Sequence, residues 1–459
     1  MEQITKPHCG ARLDRLPDCR WHSSMFAIVA FGLLVCWSNA VGGLILAQLK
    51  ALGWTDNSTT ATFSAITTAG MFLGALVGGI IGDKTGRRNA FILYEAIHIA
   101  SMVVGAFSPN MDFLIACRFV MGVGLGALLV TLFAGLTEYM PGRNRGTWSR
   151  RVSFIGNWSY PLCSLIAMGL TPLISAEWNW RVQLLIPAIL SLIATALAWR
   201  YFPESPRWLE SRGRYQEAEK VMRSIEEGVI RQTGKPLPPV VIADDGKAPQ
   251  AVPYSALLTG VLLKRVILGS CVLIAMNVVQ YTLINWLPTI FMTQGINLKD
   301  SIVLNTMSMF GAPFGIFIAM LVMDKIPRKT MGVGLLILIA VLGYIYSLQT
   351  SMLLITLIGF FLITFVYMYV CYASAVYVPE IWPTEAKLRG SGLANAVGRI
   401  SGIAAPYAVA VLLSSYGVTG VFILLGAVSI VVAIAIATIG IETKGVSVES
   451  LSIDAVANK

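Results

Sequence analysis

Acids and bases stand together at intervals in this sequence, between long apolar runs. Asp83-Lys84-Thr85-Gly86-Arg87-Arg88 is one cluster, and Asp324-Lys325-Ile326-Pro327-Arg328-Lys329 is another. Glu138 with Arg145, Glu204 with Arg207 and Glu380 with Arg389 offer further ion pairs, and Lys387 is an equal candidate for Glu380. One exposed pair contributes only about 0–1 kcal/mol. Several that break together bias a two-state equilibrium, because only the difference between states counts. That is the chemistry of a gate. Asp83 is expected to accept from N–H groups at a nearby helix start and to pair with Arg87 or Arg88. The plainer reading is that the basic residues only fix topology.

Inside the apolar runs formal charge is scarce: Glu95 with His98 one turn on, Arg118 and Arg399. A carboxyl in apolar surroundings exchanges its proton nearer neutrality than one in water, so Glu95, His98 and Arg118 are candidates for proton coupling. The competing reading places Glu95 near enough to the end of its run to reach Arg87 or Arg88. Arg118 and Arg399, two cations against one acid, suit an anionic metabolite such as a sugar acid; alternatively each arginine bonds carbonyls or a helix-end acid. Gln280, Tyr281, Asn285 and Trp286 supply donors, acceptors and an aromatic face for a polar ring, as do Asn157, Trp158 and Tyr160. Tyr367, Tyr369, Tyr372 and Asn395 extend this candidate lining. For the tyrosines and tryptophans, lipid anchoring or packing competes; Asn and Gln are costly in hydrocarbon unless paired. The seven cysteines include no C-x-x-C pair, and there is no phosphate loop, metal cluster or nucleophile triad. Neither an enzyme nor a cofactor or metal site is expected.

The elements that hold these residues follow from composition. Of 459 residues, 13% are charged and 56% apolar, against about 25% charged in a soluble domain. A net charge of +10 invites a nucleic-acid reading, but the basic residues are spread through short gaps and form no groove. Apolar runs of about 20 residues each span a bilayer. Twelve are read, at 25–47, 59–81, 89–108, 112–136, 151–173 and 182–202, then 264–286, 301–323, 331–348, 352–377, 391–413 and 418–441. Most of the 34 Lys and Arg then fall on one side. Lys50, Arg181 and Lys299 fall on the other, which predicts both termini in the cytoplasm. The expected domains are a cytoplasmic N-terminus (1–24), a six-helix half (25–202), a linker (203–263), a second six-helix half (264–441) and a tail (442–459). In the linker, Tyr215, Ala218, Val221, Met222 and Ile225 form one stripe at helical spacing, read as a short helix lying on the bundle with a solvated charged face. Asp244-Asp245-Gly246 reads as flexible linker. Gly70, Gly74, Gly78 and Gly82 form a ridge that Gly398 and Gly402 could face from the second half.

The charge clusters repeat. Asp83 and Asp324 are 241 positions apart, Glu138 and Glu380 are 242 apart, and Glu204 and Glu442 are 238 apart. Three motifs at nearly one offset mark two halves related by duplication, the plan of carriers that rock one half against the other. Pro327 and Met320 stand where the first half has Gly86 and Gly79, so the second cluster reads as degenerate. Gly79-x-x-x-Asp83-Lys84-x-Gly86-Arg87-Arg88 resembles the signature loop of the major facilitator superfamily. Pro203-Glu204-Ser205-Pro206-Arg207-Trp208, Glu442-Thr443-Lys444-Gly445 and Arg118-x-x-x-Gly122-x-Gly124-x-Gly126 resemble the sugar porter family within it. The resemblance covers essentially the whole chain and looks closest to uncharacterised enterobacterial inner-membrane metabolite transporters.

It implies an all-α membrane protein with the major facilitator fold, in the bacterial inner membrane. The expected function is secondary transport of a small polar metabolite (a sugar, sugar acid or related organic anion) by alternating access, with protons as the co-substrate. The partners are then substrate, protons and the lipid bilayer, with no nucleic acid, and the carrier is expected to act as a monomer. Family members that couple to protons commonly carry a first-helix carboxylate near a fourth-helix arginine. Arg118 is present, but residues 31–41 hold no acid. A facilitative uniporter therefore stays open beside coupling through Glu95. A transporter-like membrane sensor is the reading from another class; it should add a long signalling tail, and about 18 residues follow the last span.

Overall fold

The computed structural model describes residues 7–141, 145–240, 253–383 and 385–444 (for Arg145, the backbone alone). Among them the regular elements are helices: α1 (Cys9–Asp14), α2 (Arg20–Val35), α3 (Gly42–Ala51), α4 (Asn57–Thr85), α5 (Arg87–Ala106), α6 (Met111–Tyr139), α7 (Arg145–Asn157), α8 (Ser159–Leu170), α9 (Ala176–Tyr201), α10 (Pro206–Ser211), α11 (Tyr215–Thr233), α12 (Tyr254–Leu257), α13 (Gly260–Thr293), α14 (Leu298–Met309), α15 (Gly311–Val322), α16 (Arg328–Ser347), α17 (Met352–Cys371), α18 (Val378–Glu380) and α19 (Lys387–Ile439). Nine described helical stretches are long and apolar enough to cross a membrane. Twelve spans result once three features are recognised. The first span is α2 plus α3, broken at residues 36–41. The fifth is α7 plus α8, interrupted at Trp158. The eleventh and twelfth run together through α19 across Gly417, whose φ of 64° ends one helix and starts the next. A π turn, Tyr372–Tyr377, joins α17 to α18.

The chain packs as two compact units. The first comprises Met1–Asn39, Gly70–Ser159 and Leu184–Gly246; the second comprises Ala40–Ala69, Tyr160–Gln183 and Lys247–Lys459. In the first unit Met25, Phe91, Leu128, Leu132, Tyr139 and Phe202 share one hydrophobic core cluster. The glycine ridge of α4 meets α6. A Cβ at Gly74 would strike the backbone of Val123, and one at Gly126 the backbone of Met71. Small residues on both helices let the backbones touch. Gly398 lies against Leu273 of α13, and Gly402 against Tyr281 of α13 and Thr68 of α4. Gly74→Leu should therefore cut the yield of folded protein severely, since overpacking costs about 1–3 kcal/mol even where a side chain can yield. Gly79→Leu, with nothing within 4 Å of its Cβ position, should be tolerated. Size-exclusion profiles of detergent extracts separate the two.

The N-terminus is more than a polar tail. Cys9, Leu13 and Leu16 of α1 and its exit are fully buried against Trp208 and Leu209 of α10 and Ala218, Met222, Ile225 and Val229 of α11. The apolar stripe of α11 thus covers α1 and α10 as well as the start of the first span. Its charged side is only partly solvated: Arg12 pairs with Glu219 and Glu226, and Arg15 with Glu226 at 2.6 Å. Partial burial pushes both carboxyl pKa values up. Hydrogen bonds and charge from Arg12, joined by Arg15 at Glu226 and Arg223 at Glu219, outweigh it and hold both below the ordinary 4.5. Depressed carboxyls stabilise the clasp above their unfolded value and lose that contribution as pH falls through the folded one. Emission from Trp208 should stay constant from neutrality to about pH 4.5 and shift to the red below it. A red shift that begins above pH 5.5 would count against these pairs as the fastening. The segment 244–246 lies outside the described residues.

In the second unit α3 packs on α13 so closely that a Cβ at Gly43 would strike the carbonyl of Ile284. Gly311 and Gly315 of α15 meet α17 in the same way. Phe291, Tyr346 and Phe422 bring α13, α16 and α19 together in one aromatic cluster.

Candidate functional site

The charge clusters become two hubs, each built on one arginine and each lying within a single unit. In the first, Arg87 donates from Nε to Glu138 at 2.8 Å and from Nη1 to Asp83 at 2.8 Å. Glu204 caps the start of α5, accepting from the N–H of Arg87 at 2.6 Å and of Arg88 at 3.2 Å. Free N–H groups at a helix start carry partial positive charge, so a carboxylate is favoured there. Gly86, at φ 96°, leaves room for it: a Cβ would fall on the Glu204 carboxylate.

The second hub repeats the first. Arg328 donates from Nε to Glu380 at 3.0 Å and from Nη2 to Asp324 at 3.4 Å. Glu442 caps α16, accepting from Arg328 N at 2.8 Å and Lys329 N at 3.1 Å. Thr443 donates to Glu380 at 2.6 Å. Partial burial raises the Glu442 pKa, but the N–H groups of Arg328, Lys329 and Lys444 and the Arg328 charge hold it below the ordinary value. Pro327, at φ −56°, enters α16 by another backbone route, yet every hub contact survives.

The partners differ from those nearest in sequence. Glu138 takes Arg87, and the Arg145 side chain lies outside the described residues. Arg207 reaches Asp14 at 3.0 Å and the Glu138 carbonyl at 3.1 Å instead of Glu204. Glu380 takes Arg328; Arg389 lies over the ring of Tyr254 at 5.1 Å. Glu204, not the Asp83 side chain, accepts at the helix start. Asp83 uses its carbonyl to receive Trp208 Nε1 at 2.7 Å and Arg212 at 2.5 Å. The physical reason is common to all: helix ends that converge at one end of a bundle present their acids to the arginine of the neighbouring turn, not to their own loop.

Deeper in the first unit, Glu95, His98 and Arg118 come together, all at most 1% exposed. His98 Nδ1 lies 3.5 Å from Glu95 Oε2. The other ring nitrogen lies 2.8 Å from the hydroxyl of Ser38, whose carbonyl receives Arg118 Nη1 at 2.6 Å. Glu95 is thus held by its own helix face and does not reach Arg87 or Arg88. Gly124 permits this approach: a Cβ there would stand 3.0 Å from the His98 N. Ser38 is the residue sequence reading missed. A lone serine in an apolar run carries no signal until the helix is seen to break beside it.

The polar lining divides. In the second unit Tyr160 and Tyr367 meet edge to face at 5.3 Å, with Gln280 and Tyr281 beside them. Asn305 donates to Ser164 at 3.1 Å. Asn285 and Trp286 are buried, next to α3, and Trp286 Nε1 meets no acceptor among the described residues. Asn395 and Arg399 share one face of α19 at i, i+4 spacing. Asn395 donates to its own backbone at Ser391, and the half-buried Arg399 has an Nη1 that meets no acceptor among the described residues. Tyr369 donates to the Val272 carbonyl, and Tyr372 stacks on Tyr377, so both are structural. Asn157 and Trp158 belong to the first unit; Asn157 donates to the Ser153 carbonyl, and Trp158 is exposed.

A family model for sugar (and other) transporters matches residues 24–455. The chain is 99% identical to YdjK of Escherichia coli (strain K12), over 100% of both chains. It is 44% identical to the inner membrane metabolite transport protein YdjE of the same organism, over 98% of this chain and 99% of that one. Among solved structures, the partially occluded inward open form of the xylose transporter XylE from E. coli matches with a TM-score of 0.73 at 17% identity, over 93% of this chain and 100% of that one. XylE is a proton:xylose symporter; at this identity the likeness speaks for the twelve-helix, two-half fold. The chain belongs to the sugar (and other) transporter family of the major facilitator superfamily, as a multi-pass membrane transporter of a sugar or other metabolite.

Proposed function

We propose that this transporter moves a small organic anion of the sugar-acid type together with a proton across the inner membrane by alternating access. It acts as a monomer with both termini in the cytoplasm. The observation that carries the coupling is the buried Glu95–His98 pair linked to Arg118. A buried acid and base in contact can gain and lose one proton without exposing charge to lipid.

Arg399 supports the anion. It stands twelve residues into α19, about 18 Å along the helix, with an Nη1 that meets no acceptor among the described residues. Every acid of the second unit among the described residues lies in a loop or in the first or last turn of a helix. A carboxylate arriving with the substrate would neutralise this cation by a charge-assisted bond. Gln280, Tyr281, Tyr160 and Tyr367 supply hydroxyl-matching groups and ring faces. The two hubs hold the helix ends of each half together, so that each half can move as one lever.

One anion with one proton carries no net charge. Proteoliposomes with an imposed pH difference should therefore accumulate a hexonate or hexuronate from a labelled panel, and an imposed membrane potential should add nothing. Equilibration without accumulation for every compound in the panel would mean uniport. Arg399→Gln should raise the apparent KM for the anion by about 10–100-fold, the effect of losing one charge-assisted contact of about 1.5–3 kcal/mol. An unchanged KM, or preference for the neutral sugars, would exclude Arg399 as the anion's partner.

A further inference from the structure

The first span delivers a serine into the proton site by breaking. Between α2 and α3 the backbone at residues 36–41 leaves the helix, and the chain passes from the first unit to the second at Asn39–Ala40. Ser38 sits in that break, 1% exposed. Its hydroxyl lies 2.8 Å from His98 Nε2, and its carbonyl receives Arg118 at 2.6 Å. The far side of the imidazole faces Glu95 at 3.5 Å. The order Glu95, His98, Ser38, Arg118 runs through two helices, α5 and α6, and the break. The titratable and charged groups at this site are Glu95 on the same helix as His98, Arg118 on α6, tied to the Ser38 carbonyl, and Cys36 in the break, near Glu95.

We propose that Ser38 is the positioning residue for coupling: it passes the protonation state of the Glu95–His98 pair to the joint of the first span. The inference rests on the proton-coupled reading above.

A hydroxyl both donates and accepts. With the ring proton on Nδ1, towards Glu95, Nε2 offers a lone pair and Ser38 donates to it. A proton taken up from the proton-rich side binds Nε2. The imidazolium then donates to Ser38 Oγ, and the serine hydrogen has to turn away from the ring. Glu95 keeps its negative charge and balances the imidazolium. Release on the other side reverses each step, so one proton enters and one leaves. Ser38 reverses its role once per cycle while its carbonyl stays tied to Arg118. The break lacks a helical ladder to resist that change, so a single hydrogen bond bears on a soft segment.

The test compares Ser38→Ala and Ser38→Thr in proteoliposomes carrying the panel compound that the wild type accumulates. Two readouts are taken: accumulation under a one-unit pH gradient, and substrate exchange without a gradient between pH 5.5 and 8.5. Ser38→Ala is expected to exchange within about twofold of the wild type while its accumulation ratio falls from about ten to about one. Its exchange should also lose the wild-type pH dependence. Ser38→Thr keeps the hydroxyl and should restore both. Full accumulation by Ser38→Ala overturns the proposal and leaves Glu95–His98 coupling standing. Loss of exchange and accumulation together in Ser38→Ala and Ser38→Thr also overturns it, since the serine then only fills space. A wild type that never accumulates removes the coupling reading and this link with it.

Discussion

Replacing Arg87 by Ala should reduce transport by about 10–100-fold while the protein still reaches the membrane. The guanidinium ties Asp83 to Glu138, and Glu138 is largely buried. Removing one partner of a buried charged pair leaves the other unsatisfied, at about 1.5–3 kcal/mol or more. Each 1.4 kcal/mol of bias towards one state shifts the balance about tenfold. Arg87→Lys should recover only part of the rate, because an ammonium cannot fork towards two carboxylates. Asp83→Asn should do less harm than Arg87→Ala, since Asp83 is 66% exposed and exposed pairs contribute little. Uptake normalised to membrane abundance gives the order. If Asp83→Asn proves worse than Arg87→Ala, the arginine is not the centre of the hub.

Glu95→Gln should abolish accumulation driven by a pH gradient and spare exchange. One pH unit is worth about 1.4 kcal/mol per proton, so one-to-one symport concentrates substrate about tenfold at that gradient. Glutamine keeps the shape but carries no charge to balance a protonated His98. The expected ratio for the variant is about one, with exchange within a fewfold of the wild type. Accumulation that persists in Glu95→Gln would show that His98 needs no counter-charge from Glu95, and His98→Gln in the same assay would then test whether the imidazole carries the proton at all.

Much of this fold could be read from the apolar runs, because a bilayer forces length and composition on every span. The hub residues could be read as well, through the repeat of Asp83, Glu138 and Glu204 at Asp324, Glu380 and Glu442. Their pairing could not. Arg87 and Glu138 are 51 positions apart, and spacing along a chain says nothing about which helix ends converge. The clasp of α1 escaped for a related reason: Cys9, Leu13 and Leu16 make too short a stripe to stand out from a polar terminus. Glu95, His98 and Arg118 stood out as charges in hydrocarbon, while Ser38 did not, because a hydroxyl in a helix satisfies itself on its own backbone. The glycine ridge was legible as a close contact, but not its partner.

The π turn at Tyr372–Tyr377 explains an irregularity in the duplication. The helices α5 and α16 are equally long, and α6 and α17 begin at Met111 and Met352, in register with them. Yet 51 positions separate Arg87 from Glu138, and 52 separate Arg328 from Glu380. The surplus residue must therefore lie inside the tenth span. A π turn is the form in which a helix stores one extra residue without breaking. The two copies differ there by one residue, absorbed as a local bulge at the end of the tenth span, next to the hub. The helix below it was not rotated out of phase, and Glu380 kept its arginine.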